Sequence, residues 1–327
     1  MITNAQISGL LLAYILDGHG GGREVDWPDI ETWEISQGIL CLYLDYERYD
    51  ARNWLLNESG LPRAITDQLL NPEARPRCEI YNEGLLMVLR GISPELDTNP
   101  KATISLRMWV DAGRIIITRM RRILSGLQLR YAMNAGTGPS DQADLVLMAV
   151  ERINTIICET VNRMRDTVDD LEDEMEHGNY QSMRKRLLVV RRTAIMLQRF
   201  LEPQRTAINQ LRHSRFKWLS EDDFTQLAQI SDNMAAYIGD VEAIRDRATI
   251  VSEELSNQLS VDLNRRMYVL SILSVIFLPL GFITGLLGVN LGGIPGEGDP
   301  TGFTVLVVII VILVTIQFLL IRWRRWL

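Results

Sequence analysis

From Met267 to Leu291 no residue carries a charge, and from Gly302 to Ile321 none does either. An α-helix rises ~1.5 Å per residue, so about 20 residues cross the ~30 Å hydrocarbon core of a bilayer. Each run is long enough to span, and too long and uniformly apolar for an ordinary buried core helix. The rest of the chain therefore has to be read around two C-terminal transmembrane helices.

The flanking charges orient them. The stretch from Gly288 to Thr301 has no Lys or Arg and carries Glu297 and Asp299. Arg265 and Arg266 precede the first span, and Arg322, Arg324 and Arg325 follow the second. The excess of basic residues on cytoplasmic flanks predicts both termini inside and the short loop outside. Trp323 and Trp326 fit an aromatic belt at the inner interface. A body of roughly 265 residues, enough for one or two packed domains, then faces the cytoplasm. The N-terminus has no basic region ahead of its apolar run Ile7 to Leu16 and does not read as a signal peptide. Cys41, Cys78 and Cys158 are widely spaced, which suggests neither a zinc motif nor a disulfide framework. A net charge of −7 argues against nucleic acid as a partner.

Two helices from one chain cannot enclose a water-filled path, so a transporter built this way needs several copies around an axis. Steps of three and four residues keep one helix face in view. Such steps through the first span give Glu253, Asn257, Ser260, Asn264, Met267, Ser271, Ser274, Leu278, Gly281 and Gly285. That face is polar or small almost throughout, and the other faces carry Val269, Leu270, Ile272, Leu273, Val275, Ile276 and Phe277. A polar stripe in a membrane helix is expected to turn to a cavity or a bundle interior. Gly281 and Gly285 taken alone read better as a close helix-packing pair. The whole stripe, continued to Asn257 and Glu253, reads better as a pore lining. Pro279 removes a backbone hydrogen bond and is expected to kink or loosen the helix. The stripe is uncharged within the membrane, which suits an ion that keeps most of its water. A stripped zinc ion would need His, Cys or carboxylate at about 2 Å.

The first span ends in Gly288-Val289-Asn290, followed by Leu291-Gly292-Gly293-Ile294-Pro295-Gly296. In a symmetric oligomer Asn290 would repeat as a ring of amide dipoles, able to hold a hydrated cation without trapping it. Glu297 and Asp299 would raise the local cation concentration outside. The stretch from Phe277 to Asn290 resembles the end of the first span in the CorA family of divalent-cation transporters, whose signature is Gly-Met-Asn. Val289 and the Gly-Gly-Ile-Pro-Gly that follows are similar to its zinc-transporter branch, ZntB. So are Arg75-Pro76-Arg77, Leu89-Arg90 and Gly136-Thr137-Gly138-Pro139.

The resemblance implies a funnel-shaped homopentamer in a bacterial inner membrane. The first span would line the pore, the second would ring it, and Zn2+ uptake, with or without H+, would be the function. Gly288, Val289 and Asn290 would form the mouth, and Asn264 and Met267 would lie near the inner constriction. Gly281 departs from the family, where many members have Thr, so a polar constriction is lost there. Val in place of Met at 289 weakens a magnesium preference. No carboxylate lies in either span to relay a proton. No cofactor is implied: zinc is cargo, and no resident metal site can be assigned, although a regulatory divalent cation is compatible with the body.

The predicted fold class is an α+β cytoplasmic domain followed by long helices and two transmembrane helices. The expected divisions are 1–140 (α/β), 141–265 (long helices), 266–288 (first span), 289–301 (periplasmic loop), 302–321 (second span) and 322–327 (basic tail). Gly38 to Asp45 reads as a buried strand. Ala102 to Val110 and Arg114 to Arg119 read as a hairpin around Asp111-Ala112-Gly113. Trp54 to Leu70 reads as helical with a turn at Leu61-Pro62, and Gly136 to Pro139 as a break. Ala143 to His177 and Gln181 to Phe216 read as long helices. A third, capped by Glu221 or Asp222, is expected to run from about Asp223 into the membrane.

The acidic run Asp166, Asp169, Asp170, Glu172, Asp173, Glu174 and Glu176 could attract or sense divalent cations. The preferred reading is a solvated helix end facing Arg184, Lys185, Arg186, Arg191 and Arg192 across a hairpin. His177 and His213 are expected at the surface. No P-loop or nucleophile–base spacing points to an enzyme. Two other readings stay open: a magnesium, cobalt or nickel channel, and a membrane-anchored sensor or scaffold without flux.

Overall fold

The structure is a computed structural model that describes residues 9–72, 74–92, 103–119, 126–175, 180–289 and 300–323. Among the described residues, seven strands form one sheet in the order β2-β1-β3-β7-β6-β5-β4. They are β1 (Leu10–Leu16), β2 (Gly22–Glu24), β3 (Leu40–Asp45), β4 (Arg77–Tyr81), β5 (Gly84–Ile92), β6 (Thr103–Val110) and β7 (Arg114–Arg119). Only β3 and β7 pair in parallel, with Leu40 opposite Arg114 and Asp45 opposite Arg119. All other neighbours are antiparallel.

Aliphatic side chains on both sides of β5 explain its central place: Leu85, Leu86, Met87, Val88 and Leu89 are all fully buried. Successive strand residues point to opposite faces, so such a run needs cover on both. One face packs under α1 (Trp27–Glu31), α2 (Tyr49–Asn53), a π-helical turn (Trp54–Glu58) and α3 (Arg63–Leu70). There Leu40, Leu42, Leu44, Leu55, Ile65, Leu69, Leu86 and Ile116 form one apolar cluster. Thr118 Oγ1 donates to the Leu69 carbonyl at 2.8 Å, tying β7 to α3. The other face packs on α5 (Gln142–Glu174) and α6 (Tyr180–Arg212). Gln204 on α6 accepts the Arg90 backbone N–H at 2.6 Å, and Gln142 on α5 donates to the Ala112 carbonyl at 2.9 Å.

The expected β6–β7 hairpin is present. Asp111 makes its turn: Oδ1 accepts from the N–H groups of Gly113 and Arg114, and Oδ2 from Trp109 Nε1 at 2.9 Å. The helix expected over Trp54 to Leu70 begins earlier, at Tyr49, and breaks at Ser59 to Pro62. Gly60 takes φ +68° there, a left-handed conformation that ends a helix.

The break at Gly136 follows α4 (Gly126–Asn134). Gly136 is left-handed at φ +67°, and Thr137 N donates to the Ala132 carbonyl at 2.9 Å, which closes the helix in a Schellman-type turn. Asp141 then caps α5 by accepting from Asp144 N.

The helix expected to start near Asp223 is α7 (Glu221–Leu287), and it is continuous. Its cap is neither Glu221 nor Asp222. Ser220 Oγ accepts from Asp223 N at 3.3 Å, and Asp223 Oδ2 accepts from Ser220 N at 2.7 Å. This reciprocal box satisfies two donors, which neither acidic residue does alone. The preceding helix, α6, stops at Arg212, four residues short of the expected Phe216. His177 lies outside the described residues, where α5 was expected to end. The second span is α8 (Gly302–Trp323). The chain divides into two compact units, Met1–Ser252 and Glu253–Leu327, with the division inside α7.

Candidate functional site

Two helices, α7 and α8, are long and apolar enough to cross a membrane. In the second unit the stripe can be compared with the helix's other faces. Glu253, Asn257, Ser260, Asn264, Met267, Ser271, Leu278, Gly281 and Gly285 are exposed in the single chain, and Ser274 is half-buried. Ile272, Ile276, Pro279, Leu280 and Ile283 are half-buried as well. At about 100° per residue, the centre of this second set falls more than a third of a turn from the centre of the stripe.

α8 shows a matching half-buried row: Gly302, Leu306, Ile310, Leu313 and Gln317, at steps of three and four. Gln317 Nε2 donates to the Val275 carbonyl at 3.2 Å, which brings the two rows together. The second span therefore covers the isoleucine side of the first and leaves the polar stripe, Ser274 apart, uncovered.

The hydroxyls of the stripe are engaged by their own helix. Ser260 Oγ donates to Ser256 O, Ser271 Oγ to Met267 O at 2.8 Å, and Ser274 Oγ to Leu270 O at 2.9 Å. Each hydroxyl oxygen keeps its lone pairs free as an acceptor, which is what a passing hydrated cation can use through its water. At the C-terminal end of α7, Gly288 N bonds to Thr284 O at 2.9 Å, and Val289 is exposed. Asn290, Glu297 and Asp299 lie outside the described residues.

Four acids of the run in the body, Asp169, Asp170, Glu172 and Glu174, are held by arginines. Arg186 on α6 pairs with Glu174 at 2.6 Å and with Asp170 at 3.3 Å, as the basic-run reading expects. A second arginine, Arg247 on α7, pairs with Glu172 at 2.5 Å and Asp169 at 2.7 Å. The bond to Glu172, then that to Asp169, pushes the Arg247 pKa up. Sequence reading missed Arg247 because it lies 75 residues beyond Glu172. Among the described residues no group of three His, Cys, Asp or Glu is placed to hold a metal ion. His213 sits at the surface, its Nδ1 2.7 Å from the Asn209 carbonyl.

A further charged group is absent from any sequence pattern. Arg107 on β6 is fully buried, its Cζ 5.2 Å from the centre of the Tyr46 ring, and burial pushes its pKa down. None of its three side-chain nitrogens has a hydrogen-bond partner among the described residues.

Comparison with known proteins gives a consistent picture. The family model described as "CorA-like Mg2+ transporter protein" matches residues 36–325. The zinc transport protein ZntB of Yersinia enterocolitica is 30% identical over 98% of this chain and 97% of its own length. The divalent cation transporter CmaX of Pseudomonas aeruginosa is 32% identical over the same shares of the two chains. The solved structure of full-length CmaX is 30% identical, covers 99% of this chain and 100% of its own, and superposes with a TM-score of 0.75. The CorA magnesium transporter of Methanocaldococcus jannaschii, 15% identical over 97% and 98% of the two chains, shares the fold at a TM-score of 0.73.

Proposed function

This chain belongs to the CorA family of divalent-cation transporters, and on that premise we propose that it carries Zn2+ into the bacterial cytoplasm across the inner membrane. The working unit of this proposal is a funnel-shaped homopentamer with both termini inside. The first spans line the path with Asn257, Ser260, Asn264, Met267, Ser271, Ser274, Leu278, Gly281 and Gly285. Gly288, Val289 and Asn290 form the outer mouth, with Glu297 and Asp299 drawing cations to it.

The observation that carries this reading is the uncovered stripe. α8 takes the isoleucine side of α7, so a polar face is left bare in a helix made for lipid. A polar face against hydrocarbon is costly, and surrounding it with copies of itself removes the cost while enclosing water.

Uptake needs no nucleotide. Moving one charge across 100 mV is worth about 2.3 kcal/mol, so a divalent cation entering a negative interior gains about twice that. The first span offers hydroxyls, carbonyls and amides but no carboxylate or imidazole, which favours transit of a hydrated ion over a stripped one. It also gives no side chain to relay a proton.

Magnesium, cobalt or nickel transport is the second reading. Its support is the relative named only for divalent cations, which is as similar to this chain as the zinc transporters are.

Zinc and magnesium uptake into liposomes holding the purified protein decides between them. Zinc flux that falls at least tenfold in Asn290→Ala, by analogy with the loss of a filter dipole ring, is the expected result. Magnesium flux with little zinc moves the assignment to the second reading. No divalent flux from an intact oligomer leaves the spans as an anchor. A pH gradient imposed or removed separates symport from a passive channel.

A further inference from the structure

Pro279 sits inside α7 with no break in the helix on either side. A proline has no backbone N–H, so the carbonyl four residues earlier, that of Val275, loses its helical donor. In hydrocarbon no water replaces it. Gln317 on the second span does: its Nε2 lies 3.2 Å from the Val275 oxygen.

The pairing is selective in two ways. The hydroxyl-bearing side chains nearby serve their own helices: Ser271 and Ser274 bond Met267 O and Leu270 O, and Thr315 on α8 bonds Val311 O at 2.7 Å. Gln317 reaches across instead, from the same half-buried row as Leu306, Ile310 and Leu313. The amide's orientation is also fixed by chemistry. A carbonyl only accepts, so Nε2 must face Val275, and Oε1 is left buried without a partner among the described residues.

We propose that Gln317 is a positioning residue for transport, pinning the proline turn of the first span to the second span by replacing the hydrogen bond that Pro279 removes. The pinned turn carries Ser274 and Leu278 of the stripe on either side of Val275. Without the pin the two halves of the stripe can bend relative to each other, so the path loses its fixed geometry while each helix remains formed. This rests on the transport reading for its consequence. Its geometric core, that Gln317 serves Pro279, stands apart from that reading.

The test is a double-mutant cycle on the full-length protein: Gln317→Leu, Pro279→Ala and the two combined, in liposomes and in detergent. In Pro279→Ala, residue 279 regains an N–H for Val275, and Gln317 becomes dispensable. Intramembrane hydrogen bonds measured by such cycles correspond on average to a roughly threefold effect. Gln317→Leu is therefore expected to lower zinc flux by about that factor, through the maximal rate and not the half-saturating zinc concentration. In the Pro279→Ala background the same change should cost less than about twofold.

Equal losses in both backgrounds, or no loss in either, overturn the proposal. So does a loss confined to the half-saturating concentration. Where Gln317→Leu alone fails to assemble, recovery of the oligomer in the double variant supports the pin, and failure of both overturns it. Should the unmodified protein carry no divalent cation, the transport reading fails by itself. The same cycle on the oligomer's melting temperature then decides the pin: non-additive shifts keep it and additive ones remove it.

Discussion

Leu42 in β3 is fully buried, whereas Leu278 in α7 is 71% exposed in the single chain. Both are leucines in regular structure, yet they answer to different solvents. In the first unit the sheet and its covering helices take apolar side chains inward and, Arg107 apart, leave most charge outside, paired across helices as Arg186 is with Glu174. In the second unit, away from the polar stripe, large apolar side chains stand open on both helices: Phe277, Phe282, Phe303, Ile312 and Leu319. There the half-buried side is a thin seam between two helices. The body closes its core within one chain, while the spans present faces that only lipid or further copies can cover.

The sharpest way to break that comparison is one substitution made in both places. Leu42→Ala leaves a cavity in a closed core and should cost about 3 to 4 kcal/mol, read as a lower melting temperature of the body. Leu278→Ala removes a side chain with little around it within the chain. It is expected to leave the melting temperature of the body nearly unchanged and to alter flux instead. A Leu278→Ala protein that loses as much stability as Leu42→Ala would show that the two regions are packed alike.

The thiols extend the contrast to pH. Burial pushes Cys41 and Cys78 up to about 12, from an ordinary 9.0. Above pH 9 the unfolded chain releases these protons and the folded chain keeps them, so the folded state binds more protons and stability falls as pH rises. The loss is about 1.4 kcal/mol per pH unit per thiol, starting near the unfolded pKa and levelling off at the folded one. Below pH 9 neither thiol contributes a slope. Cys41→Ala and Cys78→Ala should each flatten the decline between pH 9 and 12 in chemical-denaturation curves. An unchanged slope would mean that these thiols already ionise in the folded body.

Much of this architecture is legible in the sequence, and what is missed has a common cause. The spans declare themselves by length and lack of charge, and the β6–β7 hairpin by Asp-Ala-Gly between two β-branched runs. The long helices follow from periodicity over tens of residues. Each of these signals is local. The parallel pairing of β3 with β7 joins segments some 70 residues apart, and nothing in either strand names its partner. Arg247 reads as one more surface charge until α7 brings it to Glu172. Gln317 is a single amide in an apolar run, without a period of its own, and its meaning depends on a proline in the other span. Arg107 occupies an alternating position in a strand that reads as half polar, and the sheet buries it because helices cover that face too. The stripe was readable as a pattern, and the added knowledge from the structure is that α8 leaves it uncovered.

Arg107 gives the next smaller prediction, and it separates burial from pairing. A guanidinium with no hydrogen-bond partner among the described residues keeps its contact with the Tyr46 ring while losing its water. Arg107→Met keeps the length and the apolar stem and removes the charge. The expected result is a rise of about 1 kcal/mol in the stability of the body, seen as a higher melting temperature. A fall would show that the charge is matched in the folded state.

Arg247 lies at the other end of the scale. It is 39% exposed and its partners Asp169 and Glu172 are 51% and 42% exposed, so water screens much of what looks like a strong bidentate pair. Exposed ion pairs are worth roughly 0.2 to 1 kcal/mol. Arg247→Gln should cost no more than that, and the cost should shrink in high salt, since surface charges are screened over about 10 Å at 0.1 M. The acids it releases, however, would then be free carboxylates on one helix face. Zinc or magnesium added to Arg247→Gln should raise its melting temperature more than it raises that of the unmodified protein. Equal shifts in the two proteins would mean that the arginines are not what keeps divalent cations off this run, and that the acidic helix end stands solvated whether or not it is paired.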